Sequence, residues 1–445
     1  MFLIFIFQIP THFAWSINQA QGEKESATVT ALNGQVGSSP IKTSEEFKHF
    51  MAHALSGSAG LSEASIEVFR GMYISETDAK MISETLKKDP NNLTLHLNFA
   101  GFESALIARS WRTEDPEGDE NILWLIRNHP ELNMPGVWSE FFIHSGKVLF
   151  DAKKSWINHV ESQRNNIDIL CSAADYFIYA EPERSESLLE KASKIDPKNP
   201  SYKTEQKRFN AVMKSHGALD KDGKLKSIPL GGNTAEISKT PLNSRLELKE
   251  SDFFPVSPIR ISPDNLKNVV LGKVSSSKEF SADLYMAMDS KNLNVLAQVH
   301  QTRSPFNHED QSHLFFGDSV EIWISGQPET RRYPRFKTAP EDYYLIMAPT
   351  SISGKSAFFV EHVGDKNVTL KYSKTSWGYS LLASFPLDDF YGQAWAEGNS
   401  YRFECAITKT DSSGQRDAKI FWNSESDDVW KVPDLRGIAT IKTVK

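Results

Sequence analysis

Glu321 is the residue whose setting carries most chemical meaning. It lies in Gly317-Asp318-Ser319-Val320-Glu321-Ile322-Trp323-Ile324. This run of β-branched and aromatic residues follows a Gly-Asp turn and is closed by Gly326 and Pro328, so it reads as a strand. Side chains alternate along a strand, which puts Val320, Ile322 and Ile324 on one face and Ser319, Glu321 and Trp323 on the other. The first is a core face. The second sets a carboxylate beside an indole, an arrangement suited to a polar ligand or simply to water.

Other groups capable of chemistry are fewer. His300, His308 and His313, with Glu309, Asp310 and Asp318, form a His/carboxylate cluster without His-Glu-x-x-His spacing. The segment 301–317 is loop-like, which favours a surface loop over a transition-metal site. Met286, Met288 or Met347 with His300 would imitate a haem axial pair, but alternating Met in a strand reads as core. Asp388 and Asp389 follow Pro386-Leu387, where carboxylates cap a short helix rather than flank a glycosidic bond. No Ser-centred elbow, phosphate-binding Gly loop or Cys nucleophile motif is present. The sequence makes no case for an enzyme.

The elements that position these residues fall into blocks. The 445 residues suffice for two or three domains, and 24% charged with 39% hydrophobic residues is ordinary globular composition. A net charge of −7 gives no support to nucleic-acid binding. Cys171 and Cys405 lie far apart in apolar patterns and read as buried small hydrophobes, not a disulfide.

At the N-terminus, Phe2-Leu3-Ile4-Phe5-Ile6-Phe7 is apolar, and Ala14-Trp15-Ser16 offers a small-x-small cleavage pattern. The run is too short to span a bilayer, and it reads as a secretory leader over 1–20, although the basic start of such leaders is missing. The alternative is an unstructured apolar start. A leader implies a secreted or periplasmic location. No later segment is apolar for long enough to be an integral membrane segment. Residues 21–42, rich in Gly, Ser, Thr and Ala, read as a flexible tether.

From 43 to 215 the period is helical. Phe47, Phe50, Met51 and Leu55 share a stripe, and Ser75-Glu76-Thr77-Asp78 opens a helix that ends at Lys87-Lys88-Asp89-Pro90. Similar endings recur at Arg127-Asn128-His129-Pro130 and Lys194-Ile195-Asp196-Pro197. The intervals between the prolines fit a repeat near 34 residues once the acidic insert Thr113–Gly118 is allowed for. The unit from Ala173-Ala174-Asp175-Tyr176-Phe177 to Ile195-Asp196-Pro197-Lys198-Asn199-Pro200 resembles a tetratricopeptide repeat. That resemblance implies stacked helical hairpins that bind a protein partner; the alternative is an irregular helical bundle.

Residues 216–257, with scattered Gly and Pro in a Lys- and Ser-rich stretch, read as a linker. From 258 to 445 the period is two. Ala282, Leu284, Met286 and Met288, then Leu293, Val295, Ala297 and Val299 after Asp289-Ser290-Lys291-Asn292, spell a hairpin. Further short strands follow at 343–347, 357–360, 368–372, 379–385, 401–407 and 419–422. The expected fold class is multidomain α and β: a tetratricopeptide-like helical region followed by an antiparallel β-sandwich.

Leu284-Tyr285-Met286-Ala287-Met288-Asp289, Asn292-Leu293-Asn294-Val295 and Phe315-Phe316-Gly317-Asp318-Ser319-Val320-Glu321-Ile322 belong to this second block. So do Tyr401-Arg402-Phe403-Glu404, Asp411–Arg416, Phe421-Trp422 and Trp430–Leu435. Together, over about 258–445, they resemble the family 9 carbohydrate-binding modules. That resemblance implies a two-sheet sandwich binding sugar between two aromatic rings, with structural calcium common. It places the rings at Phe315 and Trp422 and the hydroxyl-accepting carboxylate at Glu321; the alternative for Trp422, as for Trp323 and Trp377, is an ordinary core aromatic. Tyr344 takes the place of a family arginine, and Ala406 that of an amide, so half of the polar clamp is changed. Chemically, a sugar offers an apolar C–H face to a ring and hydroxyl edges to a carboxylate.

The expected function is a non-catalytic carbohydrate-binding protein, the sandwich taking a saccharide and the helices a protein partner, in one variant as an accessory to polysaccharide degradation. The alternative is an assembly scaffold whose sandwich has lost its sugar site. If Phe315, Glu321 and Trp422 form a site, they should line one solvent-open depression.

Overall fold

The computed structural model describes residues 62–110, 116–139, 141, 143, 145–215, 232–239, 253, 257–326, 335, 339–364, 367–430 and 432–443. The expected leader, the tether and the stripe from Phe47 to Leu55 lie outside the described residues. Contacts divide the chain into two compact units, 1–144 with 151–217 and 145–150 with 218–445.

Up to residue 215 the described residues form eight helices: α1 Glu63–Gly71, α2 Glu76–Leu86, α3 Leu93–Ser110, α4 Pro116–Asn128, α5 Gly146–Ser162, α6 Ile167–Phe177, α7 Pro182–Ile195 and α8 Pro200–Ser215. Their ends follow local chemistry. Ser62 and Ser75 accept the backbone N–H of Ser65 and Asp78 at 3.2 and 3.1 Å, satisfying donors that the first turn leaves free. Helices α2, α4 and α7 stop short of Pro90, Pro130 and Pro197, where the missing N–H forbids continuation. Where α1 meets α3 the backbones touch: a Cβ on Gly71 would collide with the carbonyl of Asn98, and one on Gly101 with that of Val68. Between α6 and α7 the buried Ala173 and Ala174 allow a similar approach, and Ser185 Oγ donates to the Ala174 carbonyl at 2.7 Å.

A buried charge also shapes this unit. Asp175 on α6 accepts the N–H groups of Gly136 and Trp138 at 2.9 and 3.1 Å and pairs with Arg208 of α8. Burial pushes its carboxyl up against those partners.

The described residues of the second unit form thirteen strands: β1 Thr234–Lys239, β2 Ile259–Ile261, β3 Val269–Leu271, β4 Phe280–Met288, β5 Asn292–Gln301, β6 Ser319–Ser325, β7 Tyr343–Ala348, β8 Ala357–Glu361, β9 Thr369–Lys374, β10 Gly378–Pro386, β11 Ser400–Thr410, β12 Arg416–Phe421 and β13 Gly437–Thr443. The expected hairpin is β4–β5, with Ala282 opposite Val299 and Met286 opposite Val295.

All thirteen belong to one hydrogen-bonded sheet, in the order β8-β7-β6-β11-β13-β1-β4-β5-β10-β9, with β12 on β11, β3 on β12 and β2 on β4. A sandwich of two separate sheets was expected, and the difference has one cause. β1 arises from the stretch read as a linker and pairs in parallel with both β13 and β4, joining the two halves. β10 also touches β7, so the sheet is nearly closed. A single core gathers the inward residues of both halves, among them Leu284, Val295, Val320, Ile322, Leu345, Leu381, Phe403, Cys405 and Ile420. Cys171 and Cys405 are free and buried.

Candidate functional site

Val320, Ile322 and Ile324 face the core, as alternation requires, so Glu321 and Trp323 point to the other side of β6. Register extends this face sideways. Glu321 pairs with Ile346 on β7 and with Ala406 on β11, and Ala406 pairs with Phe421 on β12. Trp323 stacks on Tyr344 with ring centres 4.8 Å apart and lies 5.7 Å from Phe421.

Glu321 is 1% exposed, and its carboxylate is fully engaged. It accepts from Tyr344 Oη at 2.5 Å and Thr408 Oγ1 at 3.1 Å, and Lys419 Nζ lies 3.0 Å from Oε1. Burial first, then the neighbouring carboxylate, pushes the Tyr344 phenol well up, so it stays a donor. Lys419 Nζ also stands 4.9 Å from the Phe421 ring centre and 5.4 Å from that of Trp323. A buried ammonium held this way balances the carboxylate and leaves it no free acceptor for a ligand.

The accessible chemistry lies beside this buried pair. Lys419 reaches Asp427 Oδ1 at 3.0 Å, and Asp427 is exposed. Arg416 Nη1 is 3.8 Å from Asp427 Oδ2, its Nε donates to the Phe315 carbonyl at 3.3 Å, and its guanidinium lies 5.7 Å from the Phe316 ring. Phe316 closes the 3₁₀ segment Gln311–Phe316 and is 45% exposed. Asp427–Trp430 forms another 3₁₀ turn, in which residues three apart eclipse, so the 50%-exposed Trp430 stands over Asp427. Two half-exposed aromatic rings thus accompany the half-buried Arg416 and the exposed Asp427, which supply stacking surface together with donors and an acceptor for hydroxyls.

Of the four residues singled out from the sequence, three come together. Tyr344 bonds Glu321 and packs with Phe315 on the cluster of Leu314, Ile346 and Ala348. Trp422 does not join them. Phe421 already occupies the Glu321 face, so the next residue points the opposite way, and Trp422 packs into the core at 5.6 Å from Phe403. It is 8% exposed, and Gly437 abuts its ring. The expected open depression of Phe315, Glu321 and Trp422 is therefore absent. Sequence reasoning missed Arg416, Lys419, Asp427 and Trp430; the Asp427/Trp430 spacing of three beside Phe421-Trp422 was the available signal.

The remaining candidates have structural settings. Met286, Met288 and Met347 are core residues, while His300 lies against Trp377 at 4.6 Å. Asp318 is buried and accepts the N–H of Thr410 at 3.0 Å; His313 bonds Asp310 at 2.9 Å. Asp388 and Asp389 lie in the 3₁₀ turn Leu387–Asp389. Among the described residues no three His, Cys, Asp or Glu side chains converge as a metal site would need, so they offer no carboxylate cage for the calcium implied by resemblance. No described helix is long and apolar enough to cross a membrane.

Residues 261–443, under half of the chain, match the sequence model of a family described as carbohydrate family 9 binding domain-like. No curated protein matches the chain. Among solved structures, a family 9 carbohydrate-binding module from Caldicellulosiruptor kristjanssonii in complex with cellotriose is 19% identical, covering 48% of this chain and 95% of its own, with a TM-score of 0.35. The same organism's module in complex with glucose is 19% identical, covering 48% and 97%, with a TM-score of 0.36. A putative carbohydrate-binding protein from Bacteroides uniformis is 10% identical, covering 48% and 100%, with a TM-score of 0.34.

Proposed function

We propose that the C-terminal unit is a non-catalytic saccharide-binding module whose binding surface is Phe316, Arg416, Asp427 and Trp430, above the buried Glu321–Lys419 pair. The observation that carries the reading is the half-exposed ring of Phe316 against Arg416, whose partner, the exposed Asp427, shares a turn with the half-exposed Trp430, within residues that match the carbohydrate family 9 binding domain-like model. Rings stack on the C–H faces of a sugar, and charged groups bond its hydroxyls more strongly than neutral ones.

The full chain is to be tested against a panel of soluble and insoluble polysaccharides, with cellotriose and glucose among the probes. Binding that is lost in Trp430→Ala with the fold intact supports the reading. A folded chain that retains nothing from the panel overturns it.

A second reading is favoured by the closure of Glu321: an assembly scaffold in which the face expected to take sugar has become packing. The same panel decides between the two. A secreted or periplasmic location, a tetratricopeptide-like stacking of α1–α8 that binds a protein partner, and an accessory role in polysaccharide degradation complete the proposal. The apolar run Phe2–Phe7 and the recurrent proline-closed helices support the first two. Starting at Met1 in N-terminal sequencing of native material would remove the leader.

A further inference from the structure

The segment that presents Asp427 and Trp430 is held from below by two buried side chains, one acidic and one basic. Glu404 lies on β11 two residues before Ala406, so it points to the Glu321 face, and it is fully buried. Its Oε1 accepts the N–H of Cys405 and of Asn423, both at 3.0 Å, and its Oε2 accepts that of Ser424 at 2.8 Å. Ser424 and Ser426 carry the hold forward: Ser424 Oγ donates to the Ser426 carbonyl at 2.9 Å, and Ser426 Oγ accepts the N–H of Asp428 at 3.1 Å. At the far end Arg436, also buried, donates through Nε and Nη2 to the Val429 carbonyl at 3.2 and 3.1 Å and through Nη2 to that of Trp430 at 3.4 Å.

We infer that Glu404 and Arg436 are positioning residues that clamp the two ends of the segment carrying Asp427 and Trp430, and that the grip loosens with the ionisation of Glu404. The consequence for binding rests on the saccharide reading given above. The site is dry and favours the neutral acid, whose carbonyl oxygen still accepts N–H groups; ionisation puts a charge there that an opened, hydrated segment solvates better. Burial pushes the Glu404 carboxyl up to about 8, against the three N–H donors and Arg436. Burial lowers Arg436 to about 9, against Glu404, Asp434 and Glu361. Asp342 lies 4.0 Å from Arg436 Nη1, Arg402 adds like charge, and the Cys405 thiol beside Glu404 is pushed well up by burial and stays neutral. Loosening therefore falls on the alkaline side, as pH rises through about 8.

The test is acrylamide quenching of Trp430 in the full chain without ligand, isolated as the difference from Trp430→Phe and followed from pH 6 to 10. Quenching is expected to rise as pH rises through about 8. In Glu404→Gln, which imitates the neutral acid, it should stay low through that range. A flat profile in the unmodified chain overturns the inference even if the variant does not fold, and so does a Glu404→Gln variant that keeps the inflection. Cellotriose and the polysaccharide panel are measured on the same samples, with affinity expected to be several-fold higher below the inflection. Absence of any binding together with an intact inflection would remove the saccharide reading and leave the clamp standing.

Discussion

Lys419 is seated on Glu321, with its ammonium 3.0 Å from one carboxylate oxygen and 3.2 Å from the other, both side chains being all but sealed from water. A sealed pair of this kind is costly to break from one side, because the survivor keeps its charge and loses its partner. Glu321→Ala is therefore expected to destabilise the C-terminal unit by about 3–5 kcal/mol in chemical denaturation. Replacing both residues by apolar side chains of similar size should cost much less. A double variant that loses as much as the two single variants added together would show that the charges are not coupled.

The two tryptophans near the end of the chain should separate cleanly. Trp422→Ala opens a hole in the core and should cost about 3–5 kcal/mol of stability. Trp430→Ala removes a half-exposed ring; it should leave the melting temperature nearly unchanged and weaken saccharide binding by about 1–3 kcal/mol. A melting curve and a binding isotherm on each variant are sufficient. Binding unaffected by loss of Trp430 would exclude it from the site.

In the helical unit, Asp175→Ala should be among the most damaging single changes. It deprives the N–H groups of Gly136 and Trp138 of their acceptor and leaves the Arg208 charge without its nearest counter-ion. The expected loss is about 3–5 kcal/mol, read from helical circular dichroism on denaturation.

Acid should loosen the same unit through Glu181, which lies 2.7 Å from both Lys153 and Arg184. Burial pushes its carboxyl up, but the two cations outweigh burial and hold it below its ordinary value of 4.5. A depressed carboxyl contributes stability that is complete above the unfolded value and is lost as pH falls through the folded one. Helical stability should therefore decline below about pH 4.5, and Glu181→Gln should flatten that part of the profile. A variant with an unchanged slope would assign the acid sensitivity to other groups.

The strands with clear alternation were legible: β4, β5, β6, β7, β10 and β11 fall where the period of two puts them. β1 was not, because Thr-Ala-Glu-Ile-Ser-Lys offers only Ala235 and Ile237 to a core and sits among glycines and prolines. Its pairing with β13 and β4 is supplied by the sheet, not by local preference. At the site, alternation correctly turned Glu321 away from the core. It could not show a second cover of Tyr344, Phe421 and Val429 over that face, nor a counter-ion nearly a hundred residues further on. The error over Trp422 is one of parity: in a strand, adjacent aromatics face opposite ways, and only the register of β12 against β11 says which one joins Glu321.

The place of β1 in the sheet has a kinetic consequence. Thr234 pairs with Ile438, roughly two hundred residues away along the chain, whereas the β4–β5 hairpin closes over a short turn. Loop-closure entropy makes the near pairing fast and the distant one slow. The hairpin and β10 should then be structured while β13 still lacks its parallel neighbour and shows a bare row of amides and carbonyls. During that interval the unit is open to edge-to-edge association, and refolding yield should fall as protein concentration rises, with the loss traced to the seam between β1 and β13.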